Sequence, residues 1–226
     1  TNNSEKVTVK CWDENHNLKQ INVYVNGTPI FGESGFRITE NVKSYRKTID
    51  IPLLDGKNTI QISCLNTNGA ESLYETFEII KEKTGVKNDL YIVSIGVSNY
   101  KDSRFKLTYP TKDAKDMMNK LSESTELYQN VNTKILLDEQ MTLQNFVALE
   151  DFFKNCKHND IAIIFMAGHG VLDANFDYFF GTYDMDFNNP SNLGLPYDRV
   201  HELLNKIKAY RKLLIMDTCH SGELDK

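Results

Sequence analysis

Four apolar runs of strand length punctuate the later part of the chain: LYIVSIGV (90–97), TKILLD (133–138), IAIIFMAG (161–168) and KLLIMD (212–217). A strand wetted on one side alternates apolar and polar residues, whereas a continuously apolar one must be covered on both faces. Between these runs the rhythm turns helical. After Pro110, the stretch TKDAKDMMNKL puts Ala114, Met117, Met118 and Leu121 on one stripe, with Thr111 as the expected N-cap. Thr142 is placed to cap a second helix with Leu143, Phe146, Val147 and Phe153 inward. Asp198 is placed to cap a third, with Val200, Leu203, Leu204 and Ile207 at helical spacing. Strand–helix alternation of this kind predicts an α/β fold around a mostly parallel sheet. In such sheets chemistry gathers beyond the carboxyl ends of the strands.

The earlier part of the chain has a different period. VTVKC alternates Val7, Val9 and Cys11; INVYV alternates Ile21, Val23 and Val25 before the turn pair Asn26-Gly27. TIQISC alternates Ile60, Ile62 and Cys64, and ETFEII adds Phe77 and Ile79. With further turn pairs at Asp55-Gly56 and Asn68-Gly69, this predicts a small antiparallel, Ig-like sandwich. The expected organisation is a β-sandwich accessory domain over 1–82, a polar linker over 83–89 and an α/β domain over 90–226. Cys11 and Cys64 fall in the apolar phase of their strands and read as reduced core thiols, with a disulfide as the other reading.

Composition removes several functions. The net charge of −5 gives no support for nucleic-acid binding, and no run approaches the ~20 apolar residues of a membrane span. Four cysteines are too few for a disulfide scaffold, and with no visible leader they favour the cytoplasm. The first residue is Thr1, so the chain reads as a fragment.

Two of the apolar runs end in unusual residues. One runs into FMAGHG, which sets His169 between Gly168 and Gly170; the other runs into MDTCHSG, which delivers Cys219. If those strands are neighbours, an imidazole and a thiol meet over the sheet edge. The imidazole can take the thiol proton and return it to a leaving amine. The glycines let amides approach a developing oxyanion, with the N–H groups of Gly170 and Cys219 as candidates. His220 adjoins Cys219 on an extended or turning segment, where neighbouring side chains diverge, which argues against a zinc site of His169, Cys219 and His220. His16, His158 and His201 lie in polar or helical contexts and read as solvated; Cys156 ends a helical stripe and reads as core or boundary.

YIVSIGVSNY, YPTKDAKDMMNKL, AGHG and DTCHSG, in this order, resemble the large catalytic subunit of a caspase-like cysteine peptidase of clan CD. The last motif is closer to metacaspases and bacterial orthocaspases than to animal caspases. The 50-residue separation of His169 and Cys219 is part of that resemblance, since it is also the caspase spacing. The resemblance covers about 90–226 and implies a three-layer caspase-like fold and a His169–Cys219 dyad.

Asp217 precedes Cys219 by two residues and so shares its side of the strand. Animal caspases carry glutamine there; metacaspases carry aspartate and prefer Arg or Lys. The resemblance therefore implies cleavage after a basic residue held by Asp217, a charge-assisted pairing. A hydrogen-bonded structural aspartate is the other reading. Asp113 matches a recurrent acidic position of the family and lies either near the same pocket or at a helix start. Asp184 and Asp186 match a stretch that in some metacaspases helps to bind calcium; the motif is incomplete here, and no cofactor is expected to be required.

The family fold has six core strands, and four are legible over 90–226. The others follow the cysteine in the family and can be released as a small subunit. Two expectations follow: Lys226 is an autoprocessing site, unless the terminus is an unrelated boundary, and the small catalytic subunit of the same precursor is a partner beside the protein or peptide substrate. β-rich modules precede bacterial members, so an upstream sensor or regulatory partner is a further expectation. Two rival functions remain at this point. One is a caspase-fold scaffold without catalysis; the other is a peptidase switched on by a partner or signal.

Overall fold

The computed structural model describes residues 4–32, 34–83, 85–123 and 125–219. Two compact units divide the chain, Thr1–Val86 and Lys87–Lys226.

The first unit is built from antiparallel strands: β1 (Ser4–Trp12), β2 (Leu18–Val25), β3 (Thr28–Pro29), β4 (Phe36–Arg37), β5 (Ser44–Pro52), β6 (Gly56–Asn66) and β7 (Glu75–Lys81). One sheet has the order β3-β2-β6-β7 with β4 also on β2, and β1 pairs with β5 in a second. Asn26 and Gly27 take φ of 52° and 80°. That left-handed pair closes the β2–β3 hairpin, because its twist matches that of the strands. Ile21, Val23, Val25 and Ile60 are buried on the alternating phase of β2 and β6. β5 is a strand absent from the sequence expectation: Ile49 and Ile51 alternate inward, but the charged residues Arg46, Lys47 and Asp50 dilute the pattern. In the core of this unit Lys81 pairs with Asp55 at 3.0 Å, so the buried ammonium keeps a counter-charge.

The second unit contains the parallel sheet β14-β10-β8-β9, with β8 (Leu90–Gly96), β9 (Val131–Leu137), β10 (Ile161–Ala167) and β14 (Arg211–Asp217). These are the four apolar runs. β8 is buried at every position, and its side chains divide between two cores. Leu90 and Ile92 face α1 (Pro110–Ser122) with Met118 and Ile163. Tyr91, Val93 and Ile95 face the other side, with Phe146 of α2 (Leu143–Val147), Leu149 and Phe153 of α3 (Leu149–Phe153), and Val200 and Leu203 of α4 (Tyr197–Lys206). The unit is therefore three-layered, and both faces of the sheet are dry. Ser94 is the polar exception on the α1 side, and its hydroxyl donates to the Ala114 carbonyl at 2.7 Å. A Cβ on Gly96 would meet the Cβ of Ala114 at 2.7 Å, so glycine lets α1 approach the sheet.

Thr142 caps α2 as expected, with Oγ1 accepting from the Asn145 N–H at 3.2 Å. The other two caps differ. Pro110 takes the first position of α1, where its missing N–H costs nothing, so the cap is Tyr109. Thr111 lies inside the helix, with its hydroxyl 3.0 Å from that of Ser98. α4 is entered from Pro196, which puts Asp198 in the first turn, where a carboxylate suits the helix dipole. Val147 is 51% exposed rather than inward, because the helix is interrupted at Ala148 and its stripe loses phase.

A small antiparallel sheet lies between β10 and β14 in the chain. It comprises β11 (Gly170–Leu172), β12 (Tyr178–Phe180) and β13 (Leu195–Pro196). No helix among the described residues is long and apolar enough to cross a membrane.

Candidate active site

The chain leaves β8 toward β9 on one side and returns at β10 on the other. The strand order reverses between β8 and β10, the place where open α/β sheets gather their chemistry. The β8 loop carries Tyr100 and Phe105, and the β10 loop carries His169.

β14 runs beside β10 with Asp217 opposite Ala167, and the ladder continues one step as Gly168 N–H donates to the Asp217 carbonyl at 3.3 Å. His169 and Cys219 follow at matching positions beyond that pair. The two backbones are still adjacent at Gly170. A Cβ there would collide with the Cys219 carbonyl oxygen and approach the Tyr178 hydroxyl to 2.5 Å. The fold thus brings His169, Gly170 and Cys219 together at one sheet edge. The Cys219 thiol is exposed and the His169 ring half-buried.

The His169 ring is held on several sides. Its Nε2 lies 2.9 Å from the carbonyl oxygen of Phe105. A carbonyl only accepts, so Nε2 carries the hydrogen and Nδ1 is left as the basic nitrogen of the neutral ring. Phe187 meets the ring edge-on at a centroid distance of 5.4 Å, and Phe187 itself stacks on Phe105 at 3.7 Å. Tyr100 packs on the ring at 5.2 Å and, through its hydroxyl, accepts the His169 backbone N–H at 2.9 Å. Burial pushes the Tyr100 phenol well above its usual range, so it stays protonated.

Asp138, just past the end of β9, orders the loop that carries Tyr100 and Phe105. It has a φ of 44°, and its Oδ1 accepts the N–H groups of Ser98 and Asn99, each at 2.8 Å. On the other flank, the Tyr178 hydroxyl lies 2.6 Å from that of Thr218, tying β12 to the residue before Cys219. Burial raises the Tyr178 phenol too, with Thr218 acting against it.

Gly170 stands opposite Phe180, and the flanking bond runs from Gly181 N–H to the His169 carbonyl at 2.8 Å. That makes Gly170–Phe180 a non-hydrogen-bonded pair, so the Gly170 N–H points out of the ladder. A donor in that position can serve an oxyanion.

Asp217 is exposed at the end of β14 and, by strand alternation, shares the face of Ile215, which packs toward α1. Asp113 is half-buried in the first turn of that helix, and its N–H donates to the Tyr109 carbonyl at 2.9 Å. The two carboxylates therefore belong to one face of the sheet at its carboxyl edge. Asp184 is hydrogen-bonded by the Thr182 hydroxyl at 3.3 Å, and Asp186 by the Asn188 N–H at 2.9 Å. Among the described residues no group of three or more His, Cys, Asp or Glu is arranged to hold a metal ion. His220 and Lys226 lie outside the described residues.

Sequence reasoning missed the roles of Tyr100, Phe105, Phe187, Tyr178 and Asp138. Tyr100 and Asp138 had been part of quoted stretches, YIVSIGVSNY and TKILLD, and nothing in either pattern tied them to His169. Cys156 is buried, and burial pushes its thiol up to about 11, with Asp160 adding to the shift. It is an inert core thiol, in contrast to the exposed Cys219.

Residues 91–226, more than half of the chain, match the family model of the caspase domain of C14 peptidases. No curated protein matches the chain. Among solved structures, similarity extends to protein GSU0716 from Geobacter sulfurreducens, with 21% identity and a TM-score of 0.47 over 59% of this chain. The match spans 51% of that protein, about half its length. BC0361, a polysaccharide deacetylase from Bacillus cereus, aligns at 10% identity and a TM-score of 0.20 over 96% of this chain and 69% of its own.

Proposed function

Because the chain belongs to the caspase-domain peptidases, we propose that it is a cysteine endopeptidase in which His169 and Cys219 form the dyad and Asp217 selects a basic side chain. The observation that carries this reading is the in-step placement of His169 and Cys219 beyond the paired ends of β10 and β14. Nδ1 of His169 takes the Cys219 proton as sulfur attacks the carbonyl carbon. The tetrahedral oxyanion is held by the amides of Gly170 and Cys219. The same imidazole returns the proton to the departing amine, which leaves an acyl-enzyme that water cleaves. The Phe105 carbonyl favours the imidazolium formed between these transfers.

Asp217 is exposed at the carboxyl edge of the sheet, where a substrate residue would lie, and a carboxylate there suits Arg or Lys. Asp113, on the same face, is its proposed helper. Lys226 is a basic residue seven positions after Cys219, and we propose self-cleavage there. β14 is the edge strand of the parallel sheet among the described residues, and Leu213 on it is 50% exposed. That edge favours completion by a small subunit, and with it a peptidase whose activity depends on a partner.

A panel of fluorogenic peptides ending in Arg, Lys or Asp tests the reading against wild type and Cys219→Ala. Turnover of the Arg and Lys peptides, lost in the variant, is expected. Preference for Asp would overturn the specificity; equal turnover by the variant would overturn the nucleophile. A longer precursor carrying residues past Lys226 should split after Lys226 in wild type and stay whole as Cys219→Ala.

A further inference from the structure

Cys11 on β1 and Cys64 on β6 belong to different sheets of the first unit and lie 53 residues apart in the chain. Their side chains are neighbours that line the same cavity, and each thiol shifts the titration of the other. Cys11 is also 3.9 Å from the Tyr45 carbonyl across the β1–β5 pair. Neither thiol is sealed in a core. Both are half-buried, and both line one cavity of about 520 Å³ with Trp12, Asp13, Asn66 and Glu71. A small solute can reach them there. The other two cysteines cannot pair in this way. Cys156 precedes the first residue of β10 and Cys219 follows the last of β14, so the length of the sheet, roughly 20 Å, separates them.

We propose that Cys11 and Cys64 form a redox site: a dithiol that a low-molecular-weight disulfide converts into a covalent bridge between the two sheets of the first unit. One protein thiol loses its proton and attacks a sulfur of the small disulfide, releasing one small thiolate and leaving a mixed disulfide. The second protein thiol, once deprotonated, attacks the protein sulfur of that mixed disulfide and expels the second small thiolate. Two protein thiols are oxidised, the small disulfide is reduced to two thiols, and no other reactant is needed. Their proximity in the folded state makes the second step intramolecular, so it outruns attack by a second small molecule. The cost is speed. Burial raises both thiols, Cys64 up to about 12, so the thiolate is scarce and the site responds slowly.

The bridge has a structural consequence. The β1–β5 pair shares no ladder with the other sheet, so side-chain packing holds the two together. A bond closing so long a loop removes much of the freedom of the unfolded unit.

The test uses the whole chain, incubated with oxidised glutathione, quenched with N-ethylmaleimide, digested and analysed by mass. A linked peptide pair carrying Cys11 and Cys64, free of both glutathione and maleimide, is expected. The same treatment in denaturing guanidinium should lower its yield about tenfold, because unfolding removes that proximity. The melting transition of the first unit should rise by roughly 10 °C on oxidation and fall back with a reductant. Recovery of both cysteines as maleimide adducts, or each as a glutathione adduct, would overturn the proposal. So would equal yield in guanidinium, or a melting temperature that oxidation leaves unchanged.

Discussion

Nε2 of His169 lies 2.9 Å from the carbonyl oxygen of Phe105, a residue 64 positions earlier in the chain. The orienting acceptor is thus main chain, and no substitution at 105 removes it. What a substitution can remove is the stack of Phe105 on Phe187, which holds the turn in place. Such a pair contributes about 0.5–1.5 kcal/mol. Phe105→Ala is therefore expected to lower kcat about 3- to 10-fold with little change in KM, whereas His169→Asn should lower it about a thousandfold or more. Steady-state kinetics on one basic peptide separates the two.

Tyr100→Phe tests the second hold on the imidazole. The variant keeps the ring packing and removes the hydroxyl that accepts the His169 N–H. A buried donor left without a partner costs about 1–3 kcal/mol. Urea denaturation should show a loss of that size, and kcat should fall about tenfold as the loop relaxes. Unchanged stability would mean that water replaces the hydroxyl.

Asp217→Asn keeps the shape of the side chain and removes its charge. With Asp217 as the specificity residue, kcat/KM for Arg and Lys peptides is expected to drop about 10- to 100-fold, and the preference over neutral residues to shrink with it. A uniform loss across all peptides would instead make Asp217 a structural carboxylate.

The first unit carries its own pH dependence. Asp13 accepts the Asn66 side chain and the N–H groups of Asn15 and His16, each at 2.8 Å. The Asn66 bond, followed by the two N–H groups, lowers its carboxyl to about 2, from an ordinary 3.8. A depressed carboxylate stabilises the fold fully above its unfolded pKa, and that contribution fades as pH falls through the folded one. Asp13 therefore contributes fully above pH 3.8 and loses its effect between there and about pH 2. Acid melts of Asp13→Asn should lack the part of the stability loss that wild type suffers in this window.

What the sequence determined by itself was local and periodic, although the diluted alternation of β5 and the exposed Val147 show where a short period was not enough. The four apolar runs of the parallel sheet, the stripe of Ala114 and Met118, the Asn26-Gly27 turn and the Thr142 cap are local patterns, and each formed where its spacing put it. The strand ends carrying His169 and Cys219 were legible for the same reason, because a reactive side chain after an apolar run stands out. Where two local signals competed, the reading failed. Pro110 displaced the cap assigned to Thr111, since proline's fixed φ suits the first helical position, and α4 starts one residue before Asp198, with Pro196 as its extended cap.

Tertiary structure alone decided what holds the dyad. β11, β12 and β13 are at most three residues long and exist only through their pairing, so no periodicity announces them. The acceptor for His169 is a carbonyl that every residue possesses, so nothing in the side chain of Phe105 marks it. The contacts of Tyr100 with His169 and of Tyr178 with Thr218 join residues 69 and 40 positions apart. Such pairs are set by which strand lies beside which, and strand order is a property of the packed sheet rather than of any stretch of chain.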